Sequence, residues 1–449
     1  MTEGDRSSAG HGPGATVARG NPPRATVAGG SSRWGTPRPG LILGVLALTN
    51  LISYAMRNGL VAVYPDLTAR FGIDDAQIGL LQTVFMIPHA AATLPFGWAG
   101  DRYDRRRVIV AGIVLASLAG AAGSLGHSYG GLAASRACVG LGTAAVVPVA
   151  NSILAQIFEG PRKASRLSIF NLGLFLGGVA GIVAGSAFRF PLVVIVLAAP
   201  GLVLAALIGG LPVPAHTEPP PAIPWWRYLA QFVTRFTDGA RGLLRIRTLR
   251  WMMLSSVAMA FAAGGYAAWL KEFLRRVKGL SEVQANFLLA ISIAGGVGVI
   301  LVGGQIADRL RARFVNGRLW TIVLGMTLTL PCAALALELP NGPALYAAGV
   351  ATLFFISWYH APMAASVDDL APPGKRVAAQ GLVIFTMHMF GTAPSSWVVG
   401  EVSDRSKDLQ LAMWVPTAVL VVAAICMAIA TTGFAADHAR GRAGEPPAA

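Results

Sequence analysis

The sequence predicts an all-α membrane protein in which twelve transmembrane helices form two pseudo-symmetric six-helix bundles. Hydrophobic residues make up 54% of the 449 residues and charged residues only 13%, whereas soluble domains carry about 25% charged residues. Apolar runs of about 20 residues, the length of a helix that crosses a bilayer, recur from Gly40 onward. A charged loop motif around Asp101 returns around Asp308, which indicates two copies of one membrane unit.

The apolar runs, which we number as spans 1 to 12, are separated by residues typical of turns and helix caps. Examples are Asp74-Asp75 before span 2 and Pro372-Pro373-Gly374 before span 11. The two bundles are therefore predicted at residues 39–211 and 250–435. The predicted spans are 40–64, 76–99, 107–126, 130–156, 165–188, 190–211, 250–273, 282–306, 317–338, 343–366, 376–401 and 409–433.

Three segments lie outside the bundles. Residues 1–38 are rich in Gly, Pro, Ser and Arg and predict a disordered tail rather than a cleaved signal peptide, and residues 436–449 form a short C-terminal tail. In the linker, 212–249, aromatic and basic residues alternate from Trp225 at helical spacing. This pattern predicts an amphipathic helix in the cytoplasmic interface. The helix either couples the two bundles or simply dips into lipid, and we favour the second interpretation.

The distribution of positive charge predicts the orientation and argues against a nucleic-acid partner. The net charge is +15, but the basic residues lie between apolar spans. With both termini in the cytoplasm, 26 of the 36 Lys and Arg residues fall in inner segments and eight in outer loops, which is the positive-inside bias. Because lysine is scarce relative to arginine, a GC-rich bacterial genome is favoured. We therefore expect a bacterial inner-membrane protein with cytoplasmic termini.

The sequence offers no pattern typical of catalysis or metal binding. The cysteines, Cys138, Cys332 and Cys426, are odd in number and scattered, so neither a disulfide nor a metal site is predicted. No Ser/His/Asp set, metal-ligand spacing or nucleotide-binding loop is recognisable, so an intramembrane enzyme acting on lipid through a histidine is a weak alternative. We expect no cofactor, no catalytic residue and no enzyme activity. We expect the protein to be a monomer whose partners are the bilayer and a small-molecule or lipid-like substrate.

The loop between spans 2 and 3 contains a Gly-x-x-x-Asp-Arg-x-x-Arg motif, and the loop between spans 8 and 9 repeats its first part. Glycine allows close helix packing, and an aspartate can lie against the positive N-terminus of a neighbouring helix. The motif resembles the signature between helices 2 and 3 of the major facilitator superfamily, where it latches the cytoplasmic gate. The alternative is an ordinary arginine-rich cytoplasmic loop. The gate residues that the resemblance implies are Gly97, Asp101, Arg102, Arg105, Gly304, Asp308 and Arg309.

Two arginines are predicted within spans, where an ionisable residue costs about 2.5–3.5 kcal/mol to insert and is a functional candidate by default. Arg57 lies near the outer end of span 1 with no carboxylate adjacent in sequence, so an anionic substrate group is its expected partner. Alternatively, Arg57 extends to the outer interface. Arg136 begins an Arg-x-x-x-Gly-x-Gly pattern that resembles helix 4 of the superfamily, where the arginine is a structural or coupling residue.

Three histidines, His89, His360 and His388, are also predicted within spans. Each could titrate near neutral pH and support a proton-coupled cycle, or remain a neutral hydrogen-bonding group, which we favour for any one of them. His388 leads, because the stretch that follows it, residues 391–396, favours a bend. None of the 21 Asp and Glu residues falls in the middle of a predicted span, so no carboxylate is expected to carry a proton.

Segments in both halves are similar to the spinster family of lipid transporters. They are residues 57–67, 79–85, 96–103, 166–170, 303–310 and 388–395. This family exports lysophospholipids or sphingolipid-like phosphates. Three of its acidic positions are occupied here by Met56, Thr143 and Thr392. The resemblance therefore implies a uniporter, or a carrier coupled through a histidine, with a bias toward anionic or zwitterionic amphiphiles.

We expect alternating access around a midplane site lined by spans 1, 4, 5, 7, 10 and 11. A multidrug or small-metabolite exporter of the same fold is the alternative within transport, and a membrane sensor or scaffold is the alternative outside it. Each lining residue has a second interpretation as a packing residue, which is favoured for Trp358 and Tyr359. The predicted lining residues are Arg57, Gln82, Thr143, Asn151, Asn171, Trp358, Tyr359, His360 and His388. The coupling candidates are His89, Arg136, His360 and His388.

Overall fold

The computed structural model of the chain describes four stretches of the sequence. They are residues 38–158, 163–213, 225–372 and 375–443. The predicted N-terminal tail lies outside these stretches except for Arg38, as do the proline-rich part of the linker and the end of the C-terminal tail. The borders of the two bundles and of the tails stay predictions.

All regular structure in the described stretches is helical, and twelve helical units follow one another along the chain. Eight units are single helices. They are span 2 (Asp75–Arg102), span 3 (Arg105–Leu125), span 5 (Lys163–Ala187), span 6 (Leu192–Gly210), span 7 (Arg247–Arg276), span 8 (Glu282–Arg313), span 9 (Gly317–Glu338) and span 12 (Leu409–Ala443).

The other four units are interrupted. Span 1 consists of Pro39–Asn58, a 3₁₀ segment Gly59–Val63 and Tyr64–Phe71, and span 4 consists of Tyr129–Thr143 and Val146–Ile157. Span 10 consists of Pro343–Ile356, a 3₁₀ segment Ser357–Tyr359 and His360–Leu370, and span 11 of Arg376–Thr386, a π-helical segment Met387–Thr392 and Ala393–Ser406.

Eleven of the twelve units contain, among the described residues, a stretch long and apolar enough to cross a membrane. The twelfth is span 8, a helix of 32 residues, whose side chains at 293–302 lie outside the description. The predicted fold class, an all-α membrane protein with twelve spans in two bundles, is therefore confirmed.

The internal repeat is visible in how spans 2 and 8 begin. The side chain of Asp74 accepts a hydrogen bond from the backbone N–H of Gln77, and the Gln77 side chain accepts one from the backbone N–H of Asp74. Ser281 and Gln284 form the same reciprocal pair at the start of span 8. Such a capping box satisfies two N–H groups that the first helical turn leaves unpaired. The same local chemistry therefore starts the second helix of each half.

The linker contains a helix, Trp225–Leu243, before span 7 begins. Phe236 in this helix meets Phe385 of span 11 edge to face, with 5.8 Å between the ring centroids. The side chains of Trp225 and Trp226, which contribute to the predicted amphipathic pattern, lie outside the description. The linker helix thus packs against the first helix of span 11.

The two halves meet at one end of the bundle in a described ion pair. We call this end of the bundle the Asp75 end, because span 2 begins there. The opposite end, where span 3 begins, is the Arg105 end. Nη1 of Arg276 lies 2.9 Å and 3.0 Å from the two carboxylate oxygens of Asp75 in the other half. The described ion pairs at the Arg105 end, such as Arg318 with Asp369 at 2.7 Å, join residues of the same half. The described contacts therefore close the Asp75 end.

A buried lysine strengthens this closure. The side chain of Lys271 in span 7 is fully buried, and its ammonium group has three acceptors. Nζ lies 2.9 Å from the Glu282 carboxylate, 3.0 Å from the Ser186 hydroxyl and 3.4 Å from the carbonyl oxygen of Ala62. Because Ser186 and Ala62 belong to the other half, Lys271 joins spans 1 and 5 to spans 7 and 8. Leaving such a charge unpaired inside the bundle would be strongly unfavourable.

Spans 2 and 11 cross with their backbones in contact. A Cβ atom on Gly79 would lie 2.2 Å from the carbonyl oxygen of Ser396, and one on Gly400 would lie 2.3 Å from the carbonyl oxygen of Asp75. Neither position leaves space for a methyl group, since backbone atoms cannot move aside as flexible side chains do. Small residues at helix crossings allow this close approach in membrane proteins.

We expect Gly79→Ala to lower the apparent melting temperature of the purified protein by several degrees, because the added methyl group separates spans 2 and 11. Overpacking of this kind costs about 1–3 kcal/mol. The matched control is Gly44→Ala in span 1, where a Cβ atom has nothing within 4 Å. Intrinsic fluorescence during heating in detergent provides the measurement. Equal melting temperatures for the two variants would contradict the close crossing.

Candidate functional site

The four interrupted spans carry most of the predicted central residues at or beside their breaks. Arg57 is the second-last residue of the first helix of span 1, and Thr143 ends the first helix of span 4. In span 10, His360 begins the helix after the break, and His388 lies in the π-helical segment of span 11. Breaks and π-helical turns free main-chain polar groups from regular pairing, and in transporters and other proteins they mark functional sites.

Arg136 supports the break in span 1. Its side chain is almost fully buried, with the residue 4% exposed. Nη1 donates to the carbonyl oxygen of Met56 at 3.0 Å, and Nη2 donates to the carbonyl oxygen of Arg57 at 3.2 Å. These carbonyls lie in the last turn of a helix, where a cation is electrostatically favourable. Arg136 therefore positions the backbone that carries Arg57.

The other contacts of Arg136 reach span 2. Nη2 donates to Oε1 of Gln82 at 3.1 Å, and the guanidinium carbon lies 4.5 Å from the centroid of the Phe85 ring. Gln82, which was predicted to line the site, is buried, and its amide oxygen accepts the hydrogen bond from Arg136. The arrangement favours a positioning role for both residues over direct substrate contact.

Arg57 has a different environment. Its side chain is half-buried, and its guanidinium carbon lies 6.0 Å from the centroid of the Tyr54 ring. Among the residues that the structure describes, no carboxylate forms an ion pair with Arg57. Its charge acts electrostatically on both His89 and His388, which lie in opposite halves. Within the described part of the chain this cation has no carboxylate partner, which makes Arg57 a candidate for binding an anionic ligand.

His89 and His388 each face a threonine. Nδ1 of His89 lies 3.2 Å from the Thr143 hydroxyl and 3.2 Å from the carbonyl oxygen of Gly140. Because a carbonyl only accepts, Nδ1 carries the proton in this arrangement and Nε2 is left to accept one. Nδ1 of His388 lies 3.3 Å from the hydroxyl of Thr392. Both histidines can therefore bind a proton while they keep their threonine contacts.

The predicted residues of span 10 divide into two groups. The rings of Tyr359 and His360 lie 4.0 Å apart between centroids, and His360 is exposed. Trp358 is buried and packs against Phe355, with 5.3 Å between the ring centroids. Tyr359 and His360 thus remain candidates for ligand contact, whereas Trp358 packs within the C-terminal half.

The structure does not join Asn151 and Asn171 to this group by any described contact. Asn151 is half-buried in the second helix of span 4, and Asn171 is exposed on span 5. Asn50, a buried residue that connects two spans, was not identified from the sequence. Asn50 is 1% exposed and donates from Nδ2 to the carbonyl oxygen of Phe170 at 3.0 Å, which ties span 1 to span 5. Its signal was a lone amide in an otherwise apolar run.

The predicted gate residues lie at the Arg105 end. Nε of Arg105 donates to the carbonyl oxygen of Gly100 at 3.1 Å, and its Nη1 donates to Oε1 of Gln156 in span 4. Asp308 pairs with Arg318 at 3.7 Å within the C-terminal half. Of the remaining gate residues, Gly97, Asp101 and Arg102 fall in span 2, and Gly304 and Arg309 fall in span 8; the side chains of Asp101 and Arg102 lie outside the description.

Comparison with known proteins identifies the family. The sequence profile of the Major Facilitator Superfamily matches residues 46–389. Protein spinster homolog 3 of Danio rerio is 29% identical over 389 residues, which cover 81% of this chain and 76% of the relative. Protein spinster homolog 1 of Mus musculus is 30% identical over 412 residues, which cover 81% of this chain and 73% of the relative.

Solved structures agree at the level of the fold. A bacterial homologue of the human lysosomal transporter spinster, crystallised in an inward-facing and unoccupied conformation, has a TM-score of 0.76 and 19% identity, and covers 89% of this chain and 98% of its own. The nucleoside transporter NupG has a TM-score of 0.68 and 14% identity, with 89% and 100% covered. The related families are transporters rather than enzymes. The chain therefore belongs to the Major Facilitator Superfamily and is an integral membrane transporter related to the spinster proteins.

Proposed function

We propose that this protein moves an amphiphilic, anionic or zwitterionic lipid-like substrate, such as a lysophospholipid or a sphingolipid-like molecule, across the membrane by alternating access. The observation that carries the proposal is that Arg57, a cation at the break of span 1, has no carboxylate paired to it among the described residues. A phosphate is a suitable counter-charge, because guanidinium groups form short, charge-assisted hydrogen bonds with it.

The setting of Arg57 supports an amphiphile over a small hydrophilic anion. Arg136 holds the backbone carbonyls of Met56 and Arg57, so the cation is presented by a fixed helix end. The Tyr54 ring, whose centroid lies 6.0 Å from the guanidinium carbon of Arg57, would offer apolar contact to a hydrocarbon chain beside the charge. An orientated charge beside apolar surface matches a lipid with one charged headgroup.

The moving bodies in this proposal are the two bundles, residues 39–211 and 250–435. The predicted bias in positive charge places both termini in the cytoplasm of a bacterial cell, with the protein a monomer in the inner membrane. In that orientation the Asp75 end faces outward, so the described state is closed to the outside. The gate at the Arg105 end is assigned to Asp101 and Arg105 with their neighbours in the motif and its copy.

Coupling is either absent or based on histidine. The carboxylates of the described spans lie toward helix ends, as Asp75, Glu272 and Asp404 do, and none contacts Arg57. His89 and His388 are the titratable groups that share the electrostatic field of Arg57. An anion bound to Arg57 would offset its charge and reduce the electrostatic cost of a proton on either histidine. Substrate and proton would then travel together without a carboxylate.

We expect Arg57→Ala to reduce the flux of a labelled lysophospholipid into proteoliposomes at least tenfold, because it removes the counter-charge of the headgroup. Hydrogen bonds to charged groups contribute about 1.5–3 kcal/mol, and Arg57→Lys should retain part of the flux. The matched control is Arg70→Ala at the end of span 1, where the guanidinium contacts the Phe71 and Phe190 rings.

The outcomes of this assay separate the alternatives. Equal flux in wild type and Arg57→Ala would remove Arg57 from the site. Absence of lysophospholipid flux in the wild type would contradict the lipid substrate and direct the search to the drugs and small metabolites of the alternative exporter. Absence of flux for those solutes as well would leave the sensor or scaffold interpretation.

We expect the double variant His89→Gln and His388→Gln to lose any acceleration of flux by an imposed pH gradient, because these side chains would carry the proton. His127→Gln, an exposed histidine in the loop before span 4, is the control and should respond as the wild type does. The measurement is the initial rate of uptake with and without the gradient. A gradient response that persists in the double variant would contradict histidine-based coupling, and a wild type that ignores the gradient would be a uniporter.

A further inference from the structure

The N-terminus of span 2 is capped by a carboxylate from the other half of the molecule. Asp404, in the last helix of span 11, accepts hydrogen bonds from the backbone N–H groups of Asp75 at 3.3 Å and Ala76 at 2.6 Å. Asp74, the local cap, accepts the backbone N–H of Gln77. The first residues of a helix have no intrahelical acceptor for their N–H groups, so Asp404 completes a cap that the local sequence leaves unfinished.

The side chain of Asp75 is bound to the same half as Asp404. Its carboxylate accepts a hydrogen bond from the Ser403 hydroxyl at 2.9 Å and pairs with Arg276, which also pairs with Glu272 at 2.9 Å. The Asp75 side chain is 13% exposed and that of Glu272 is 1% exposed. Both the backbone and the side chain of Asp75 therefore bind across the boundary between the halves.

We propose that Asp404 is a removable helix cap that stabilises the conformation in which the Asp75 end is closed. The inference rests on the proposed alternating access, since a carrier that opens this end must separate span 2 from span 11. Separation moves the carboxylate away from the N–H groups of Asp75 and Ala76 and transfers all of them to water. The contact is specific to one state, and only such a contact can bias an equilibrium between two states.

The chemistry of the contact suits a switch that operates repeatedly. A carboxylate at a helix N-terminus is favoured by the helix dipole and by direct hydrogen bonds, but water can replace both partners when they separate. Asp404 is partly exposed at the end of the bundle, so water can reach its carboxylate on release. The bonds of the buried Lys271 to Ser186 and Ala62 join the two halves independently of Asp404.

A second carboxylate in the same region provides a matched control. Oδ1 of Asp408 accepts the backbone N–H groups of Gln410 at 2.8 Å and Leu411 at 3.2 Å, at the start of span 12. Asp408 thus caps a helix of its own half, whereas Asp404 caps a helix of the other half. Both substitutions to alanine remove a cap, but only the loss of Asp404 changes the balance between conformations.

The test measures the distance between spin labels on Ala69 and Val283, exposed residues near the Asp75 end in the two halves. The labels are attached by cysteine substitution in a full-length protein whose Cys138, Cys332 and Cys426 are replaced by serine. We expect Asp404→Ala to increase the ratio of long-distance to short-distance populations about fivefold, the typical effect of losing one cap. Asp404→Asn, which keeps one acceptor, should fall between Asp404→Ala and the parent, and Asp408→Ala should change the ratio less than twofold.

The distance measurement needs no substrate, so its outcomes test the removable cap directly. Graded populations in the order Asp404→Ala, Asp404→Asn and parent would support the removable cap. A distribution in Asp404→Ala that matches the parent, or a shift equal to that of Asp408→Ala, would overturn it. Circular dichroism and gel filtration verify that each variant is folded, and Asp404→Asn keeps the comparison available if the alanine variant is unstable. Since lipid flux is not measured, a wrong substrate class would leave this result unaffected.

Discussion

The buried guanidinium of Arg136 is the interaction on which the rest of the site depends. A span that stops being a regular helix inside the membrane must find other partners for its carbonyls, because lipid offers none. Arg136 provides them for Met56 and Arg57 and reaches Gln82 with the same group. One cation therefore satisfies the carbonyl oxygens at the break in span 1 and joins spans 1, 2 and 4. The second cation, Arg57, makes no ion pair with any described residue.

Contacts between the halves follow a different requirement, because a carrier must make and break them. Apolar burial alone would make separation expensive in proportion to area. At the Asp75 end the contacts include polar ones, the Asp404 cap and the pair of Asp75 with Arg276. Water can replace these partners, so the two conformations can have similar free energies. The fully buried Lys271 is costlier to separate from its partners than the partly exposed Asp404.

The gross architecture was predictable from the sequence because its causes are local. The lengths of the apolar runs predicted the twelve spans, and the repeated Gln77 and Gln284 belong to two equivalent capping boxes, with Asp74 and Ser281 as the caps. The breaks in spans 1, 4 and 10 were not predicted, since an apolar run has the same hydropathy whether it forms a 3₁₀ segment, a turn or an α-helix. The cap by Asp404 could not be predicted either. Asp75 has the sequence context of an ordinary turn, and Asp404 is more than 300 residues away along the chain. Contacts of this kind exist only after the halves have assembled.

Within the proposed function, the lack of a carboxylate partner for Arg57 among the described residues has a physical consequence for the transport cycle. Between its two open states a carrier passes through an occluded one, in which Arg57 loses much of its water. An unpaired charge makes that step unfavourable, whereas an anionic headgroup bound to Arg57 replaces the lost hydration. The loaded carrier then changes conformation more easily than the empty one. A protein carboxylate beside Arg57 would remove this difference. None pairs with Arg57 in the described stretches, so in the proposed cycle the substrate itself is the counter-charge that permits the switch.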